Sequence, residues 1–129
     1  MAIPFEARIP GTPLGVGVLR RQMAGLAKDC GLDAEGIADV QLAVTEAATN
    51  AVMHGYANTE GDLSVTAAMR DGELRIVIGD TGPGLVDGRN SSGLGVGLAI
   101  IAKVVERLNI VSDRGGTEIH MAFPCPNAD

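Results

Sequence analysis

The sequence predicts an α+β fold, a two-layer sandwich with helices on one face of a mixed, mostly antiparallel sheet. Three observations predict it. Short stretches of alternating apolar and polar residues recur on either side of tight turns, as in hairpins. Longer stretches repeat apolar residues at intervals of three and four, as in amphipathic helices. The two kinds follow one another as strand, helix, helix, hairpin, glycine loop, helix, hairpin, an order that fits neither a pure bundle nor a pure β-sandwich.

Phe5, Ala7 and Ile9 alternate with Glu6 and Arg8, a half-buried strand that stops at Pro10-Gly11. Thr12 is placed to cap a helix with Pro13 at its first position, and Leu14, Val18, Leu19, Met23 and Leu26 carry its apolar face as far as Gly31. Gly15, Gly17 and Gly25 weaken that helix. Asp33 caps a second helix with Ile37, Val40, Val44, Ala48 and Ala51 along one stripe, and Gly55 is available to end it. Leu63, Val65, Ala67 and Met69 alternate up to the turn Asp71-Gly72, and Leu74, Ile76, Val77 and Ile78 return from it, so these two strands should pair antiparallel. From residue 79 to residue 97 glycine is too dense for a regular element, and a helix is expected over residues 98–108. Ile110 and Val111 then open a strand that turns at Arg114-Gly115-Gly116, and Thr117, Ile119, Met121 and Phe123 alternate to Pro124.

A chain of 129 residues has room for one domain, expected to span residues 1–129. With 46% hydrophobic and 20% charged residues it can bury a core and lacks the composition of a disordered chain. The 16 acidic residues outweigh 10 basic ones, and Arg20-Arg21 is the one adjacent basic pair, which argues against nucleic acid or an anionic membrane as partner. No uncharged run approaches the roughly 20 residues of a spanning helix, and the first residues lack the basic-then-apolar pattern of a secretory signal, so a cytoplasmic protein is expected. Cys30 and Cys125 lie far apart in the chain and read as two reduced thiols. The anomaly is 18 glycines against three aromatics, Phe5, Tyr56 and Phe123, which points to bare backbone in roles usually given to side chains.

Glu46, Asn50 and His54 are spaced by four and stack along one line of the second helix, beside its core stripe. Such a line is either a solvated face or a face turned to a ligand; the small residues around it (Thr45, Ala47, Ala48, Thr49 and Ala51) would let a ligand approach closely, and a mid-helix Asn is a poor helix former. Asp80 ends a strand and opens Asp80-Thr81-Gly82-Pro83-Gly84, where it either closes an Asx-type turn or accepts hydrogen bonds from a bound group. Gly93-Leu94-Gly95-Val96-Gly97-Leu98 stands just before the third helix, where converging N–H groups and the helix dipole could cradle phosphate. It is not a P-loop, since the chain has no Gly-Lys pair, nor a dinucleotide fingerprint, since the spacing is G-x-G-x-G and no strand precedes it.

Glu46-x-x-x-Asn50, Asp80-x-Gly82-x-Gly84 and Gly93-x-Gly95-x-Gly97, in this order on helix, strand end and helix start, together resemble the three ATP-binding boxes of the GHKL superfamily. Within it, the stretch from Val44 to Tyr56 looks most like the bacterial anti-sigma factor serine/threonine-protein kinases. The resemblance implies a Bergerat-type ATP-binding fold and a single histidine-kinase-like ATP-binding domain, with ATP and Mg²⁺ as cofactors. It gives Asn50 the Mg²⁺, Asp80 the adenine amine, and Gly82 and Gly84 the base and ribose. The run Gly93, Leu94, Gly95, Val96 and Gly97 takes the phosphates, Thr117 the adenine side, and Glu46 the role of general base. The implied function is an anti-sigma factor that phosphorylates a serine of an antagonist protein and sequesters a sigma factor, and relatives of this kind commonly form homodimers. The alternative is an ATP-gated binding switch without kinase activity, because residues 86–92 make a short lid in which Arg89 is the sole cation. The catalytic domain of a sensor histidine kinase fits less well, since no phosphoacceptor helix precedes the boxes. Lys103 reads as a second phosphate contact or, more simply, as a solvated side chain, and Arg20 and Arg21 as a docking point for an acidic partner or as exposed charge.

Overall fold

The computed structural model describes residues 5–51, 61–80, 91–113 and 115–127. It contains β1 (Phe5–Pro10), α1 (Pro13–Asp29), α2 (Ala34–Asn50), β2 (Asp62–Arg70), β3 (Glu73–Asp80), α3 (Ser91–Val104), β4 (Arg107–Asp113) and β5 (Gly116–Pro124). The strands form one sheet in the order β1-β2-β3-β5-β4, and every pairing among the described residues is antiparallel. The two-layer α+β architecture expected from the sequence is present, with antiparallel pairing more complete than expected.

The local signals explain most of the elements. Thr12 caps α1 by accepting the Gly15 N–H at 3.1 Å, and Asp33 caps α2 by accepting the Gly36 N–H at 2.8 Å. In the β2–β3 turn Asp71 and Gly72 have φ of 54° and 76°, the left-handed pair that closes a two-residue hairpin. Leu63, Val65 and Ala67 on β2, Leu74, Ile76 and Ile78 on β3, and Ile119, Met121 and Phe123 on β5 turn inward. Opposite them pack Leu19, Met23 and Ala27 of α1, and Val40, Ala43, Val44, Ala47 and Ala48 of α2. Val77 of β3 points to the other face and is half-buried.

The inward line of α1 differs from the expected one. It runs through Gly15, Leu19, Met23 and Ala27 at steps of four, and Leu14, expected in the core, is 77% exposed. Gly15 sets this rotation: a Cβ there would collide with the Pro10 carbonyl oxygen and press on Ile9 Cγ2 at 3.2 Å, so only a bare backbone lets α1 lie this close to the end of β1. Leu14, one residue earlier, is turned away by about 100°. Gly15→Ala is therefore expected to lower stability by about 3 kcal/mol despite the better helix propensity of alanine, seen as a fall in Tm. An unchanged Tm would mean that α1 slides off β1 at no cost.

The third helix and the strand after it also differ in their bounds. α3 begins at Ser91, inside the stretch expected to be irregular, and ends at Val104, so β4 starts at Arg107 and not at Ile110. Glycine in a helix interior costs about 1 kcal/mol relative to alanine. Tertiary contact offsets this, because Ile101 is buried and Leu98 and Val104 pack against the core. On the outer face of the sheet, Arg107 reaches across the small Ala122 of β5 to Glu73 of β3, with Nε 3.1 Å from Oε2. Hydrogen bonding to Arg107, and then to Arg75, holds the Glu73 carboxyl below the usual range.

Candidate functional site

Strand register and helix direction bring the candidate residues to one end of the sandwich. Pro10 pairs with Asp62, Ser64 with Gly79 and Asp80 with Thr117, so these residues share one edge of the sheet. α1 leaves from that edge, α2 returns to it at Asn50, and α3 starts from it again. The opposite edge carries the Asp71-Gly72 turn, the end of β5 and the α1–α2 corner.

Asn50, the last residue of α2, is only 7% exposed, and its Nδ2 is the one buried side-chain nitrogen or oxygen without a hydrogen-bond partner among the described residues. An unpaired buried amide donor costs about 1–3 kcal/mol, so it is retained where a ligand completes it. The side chain lies against α3 at Gly97, where a Cβ would come within 2.8 Å of Nδ2 and 2.9 Å of Oδ1. Gly97 is thus a glycine because the Asn50 amide occupies the space of its side chain. Rotating that amide exchanges its donor and acceptor, so it can offer an oxygen to a cation or an N–H to a phosphate oxygen. These residues suit Mg²⁺, which takes few protein ligands and leaves its remaining positions to phosphate and water.

Glu46 stands one turn before Asn50 on α2 and is half-buried. With the core stripe of Val40, Ala43, Val44, Ala47 and Ala48 beside it, its carboxylate sits at the margin of the core. Asp80 ends β3, half-buried, directly across from Thr117. Thr117 is buried, and its Oγ1 lies 3.0 Å from Ser112 Oγ on β4. Ser112 did not emerge from the motifs, although the β4–β5 register places it opposite Thr117.

The glycine run before the third helix is itself helical: Gly93, Leu94, Gly95, Val96 and Gly97 all lie in α3. The N–H groups of a helix's first residues lack an internal acceptor. The fourth helical residue of α1 and of α2, Val16 and Ile37, already donates to the cap carbonyl, so in α3 the N–H groups of residues 91–93 are the ones that face outward along the axis. Val96 is 66% exposed, and Lys103 is exposed, in keeping with the solvated reading. Gly82, Gly84 and Arg89, together with His54, Gly55 and Tyr56, lie outside the described residues. Among the described residues no cluster of His, Cys, Asp and Glu forms a metal site, and no helix is long and apolar enough to cross a membrane.

The model of the histidine kinase-like ATPase domain matches residues 9–123. The serine-protein kinase RsbW of Bacillus licheniformis is 35% identical over 92 residues, which cover 70% of this chain and 58% of the relative. RsbW of Bacillus subtilis is 33% identical over 79 residues, covering 60% and 49%. The chain thus spans about half the length of the curated relatives it matches. Among solved structures, the RsbU and RsbW domains of a Mycobacterium tuberculosis protein align with a TM-score of 0.76 at 27% identity, over 95% of this chain and 32% of that one. The histidine kinase domain of a blue-light activated kinase from Erythrobacter litoralis gives 0.62 at 20% identity, over 87% and 60%, a likeness of fold alone.

Proposed function

The chain belongs to the histidine kinase-like ATPase domain family, within the GHKL superfamily, and from that membership we propose that it binds ATP with Mg²⁺ and transfers the γ-phosphoryl group to a serine of an anti-sigma antagonist protein. In the same proposal it sequesters a sigma factor, works as a homodimer, and forms one ATP-binding domain over residues 1–129. The observation that carries the nucleotide site is Asn50, buried against Gly97 with its amide donor unpartnered. Asn50 would hold Mg²⁺, which would offset the charge of the phosphates.

The chain's own residues would do the rest. Asn50 holds the metal–phosphate group. The outward N–H groups at the start of α3, Gly93 among them, hold phosphate oxygens, while the ladder N–H groups of Leu94, Gly95, Val96 and Gly97 are engaged unless α3 unwinds locally. Gly82 and Gly84 let the backbone approach base and ribose, and Arg89 is the lid cation. Asp80 accepts the exocyclic amine of adenine, with Thr117 beside it. Glu46 orients the acceptor hydroxyl toward the γ-phosphate, since phosphoryl transfer depends mainly on alignment and charge stabilisation. Arg20 and Arg21, both exposed on α1, offer a docking point for an acidic partner surface.

Labelled ATP, Mg²⁺ and purified candidate antagonists test this directly: label on an antagonist serine supports the kinase. Tight ATP binding without transfer supports the second reading, the ATP-gated switch. That reading is favoured by one observation, the start of α3 at Ser91, which takes the last residues of an already short lid stretch into the helix. Asp80→Asn tests the base contact. Removing a charge-assisted acceptor of the adenine amine should weaken ATP binding by roughly tenfold or more in calorimetry. Unchanged affinity would remove Asp80 from the adenine site.

A further inference from the structure

We propose that Cys30 and Cys125 form a reversible disulfide that staples the segment after β5 to the α1–α2 corner, at the end of the sandwich opposite Asn50. The two residues are 95 positions apart in the chain, yet the Cys125 thiol donates to the Cys30 carbonyl oxygen at 3.6 Å. Both side chains are buried, at 0% and 2% exposure, and both thiols are free. The backbone already holds them in register. Cys125 N–H donates to the Gly72 carbonyl at 2.8 Å, and Asn127 N–H to the Cys30 carbonyl at 2.9 Å. The Asn127 side-chain amide donates to the Asp29 carbonyl at 3.0 Å, and Gly31, with φ of 92°, leaves room for that amide. In this proposal the bond closes by rotation of the two side chains about a backbone that stays in place.

Burial and the neighbouring Cys125 thiol push the Cys30 thiol up to about 12, so Cys30 in the closed arrangement holds little thiolate at neutral pH and resists oxidation. Reaction proceeds when residues 125–127 lift away, which breaks the four hydrogen bonds just described. With a disulfide such as oxidised glutathione, the Cys125 thiolate attacks one sulfur and expels one glutathione thiol, leaving a mixed disulfide. The Cys30 thiolate then attacks Cys125 Sγ and expels the second glutathione thiol. Two electrons pass from the cysteines to the oxidant, and the two cysteine protons end on the two released thiols. Re-docking buries the new bond, which shields it from external thiols. α2 separates the pair from Asn50 by about 25 Å, so the staple acts on stability and leaves the nucleotide site alone.

The test is to equilibrate the full chain in glutathione buffers of graded redox poise, quench with acid, and record intact mass and Tm without reductant. The expected product is the chain less two hydrogens, with no glutathione adduct and a Tm higher by roughly 10 °C, because a loop of nearly the whole chain is closed. Dithiothreitol should reverse both changes, and Cys125→Ala should show neither. Accumulation of the glutathione adduct in place of the internal bond overturns the proposal. So does a disulfide between two chains, a Tm that does not rise on oxidation, or a rise that persists in Cys125→Ala. The wild-type readouts decide the matter even where the alanine variant folds poorly.

Discussion

Glu46→Ala is expected to lower phosphoryl transfer to an antagonist serine by roughly 10²- to 10⁴-fold while leaving ATP affinity unchanged. The separation of the two readouts follows from where the residue stands. Glu46 is half-buried at the margin of the α2 core, one turn from Asn50, and in the proposed arrangement it meets the acceptor hydroxyl rather than the nucleotide. A carboxylate in this place contributes alignment and a proton acceptor in the transition state, and neither is used when ATP binds alone. Glu46→Gln keeps the shape and loses the base, so it should fall between wild type and alanine. Transfer is read as kcat with labelled ATP, and affinity by calorimetry. Full transfer by Glu46→Ala would remove the residue from the chemistry, and a parallel loss of ATP affinity would move it to the nucleotide.

How much of this was legible in the sequence depended on whether the determining contact was local. The caps Thr12 and Asp33, the Asp71-Gly72 turn and the alternation of β2 and β5 act within a few residues, and all hold. The face of α1 was misplaced because its rotation is set by Gly15 against the Pro10 carbonyl, a contact between elements that no periodicity encodes. The start of α3 was missed for a related reason. Glycine density argues against a helix on propensity, but the buried Ile101 and the space that Asn50 requires at Gly97 decide the matter from outside the segment. Asn50, Asp80 and Thr117 were legible as candidates because their motifs are short and ordered along the chain. Their meeting at one end of the sheet, and the pairing of Cys30 with Cys125, came only with the strand order.

Asn50→Ala is expected to weaken Mg²⁺-dependent ATP binding by roughly 10²-fold or more, since loss even of an outer partner of a metal ligand commonly costs 10- to 100-fold. The same substitution should leave the ligand-free protein as stable as wild type, or more so by about 1 kcal/mol, because it removes an unpartnered buried donor. That opposition separates a binding residue from a structural one: a core hydrogen-bonding Asn would lose stability on truncation. Gly97 supplies the cross-check. In the wild-type background Gly97→Ala places a Cβ 2.8 Å from Asn50 Nδ2, so it should lower stability by about 1–3 kcal/mol and displace the amide proposed to hold the metal–phosphate group. In the Asn50→Ala background the obstruction is gone, and the added methyl should be neutral or stabilising, since alanine is the better helix former by about 1 kcal/mol. The double-mutant cycle is therefore expected to give a favourable coupling, opposite in sign to the effect of Gly97→Ala alone. If Gly97→Ala destabilises both backgrounds equally, the Asn50 amide is not what demands glycine at this point of α3. The contact between the end of α2 and α3 would then have to be set by other residues.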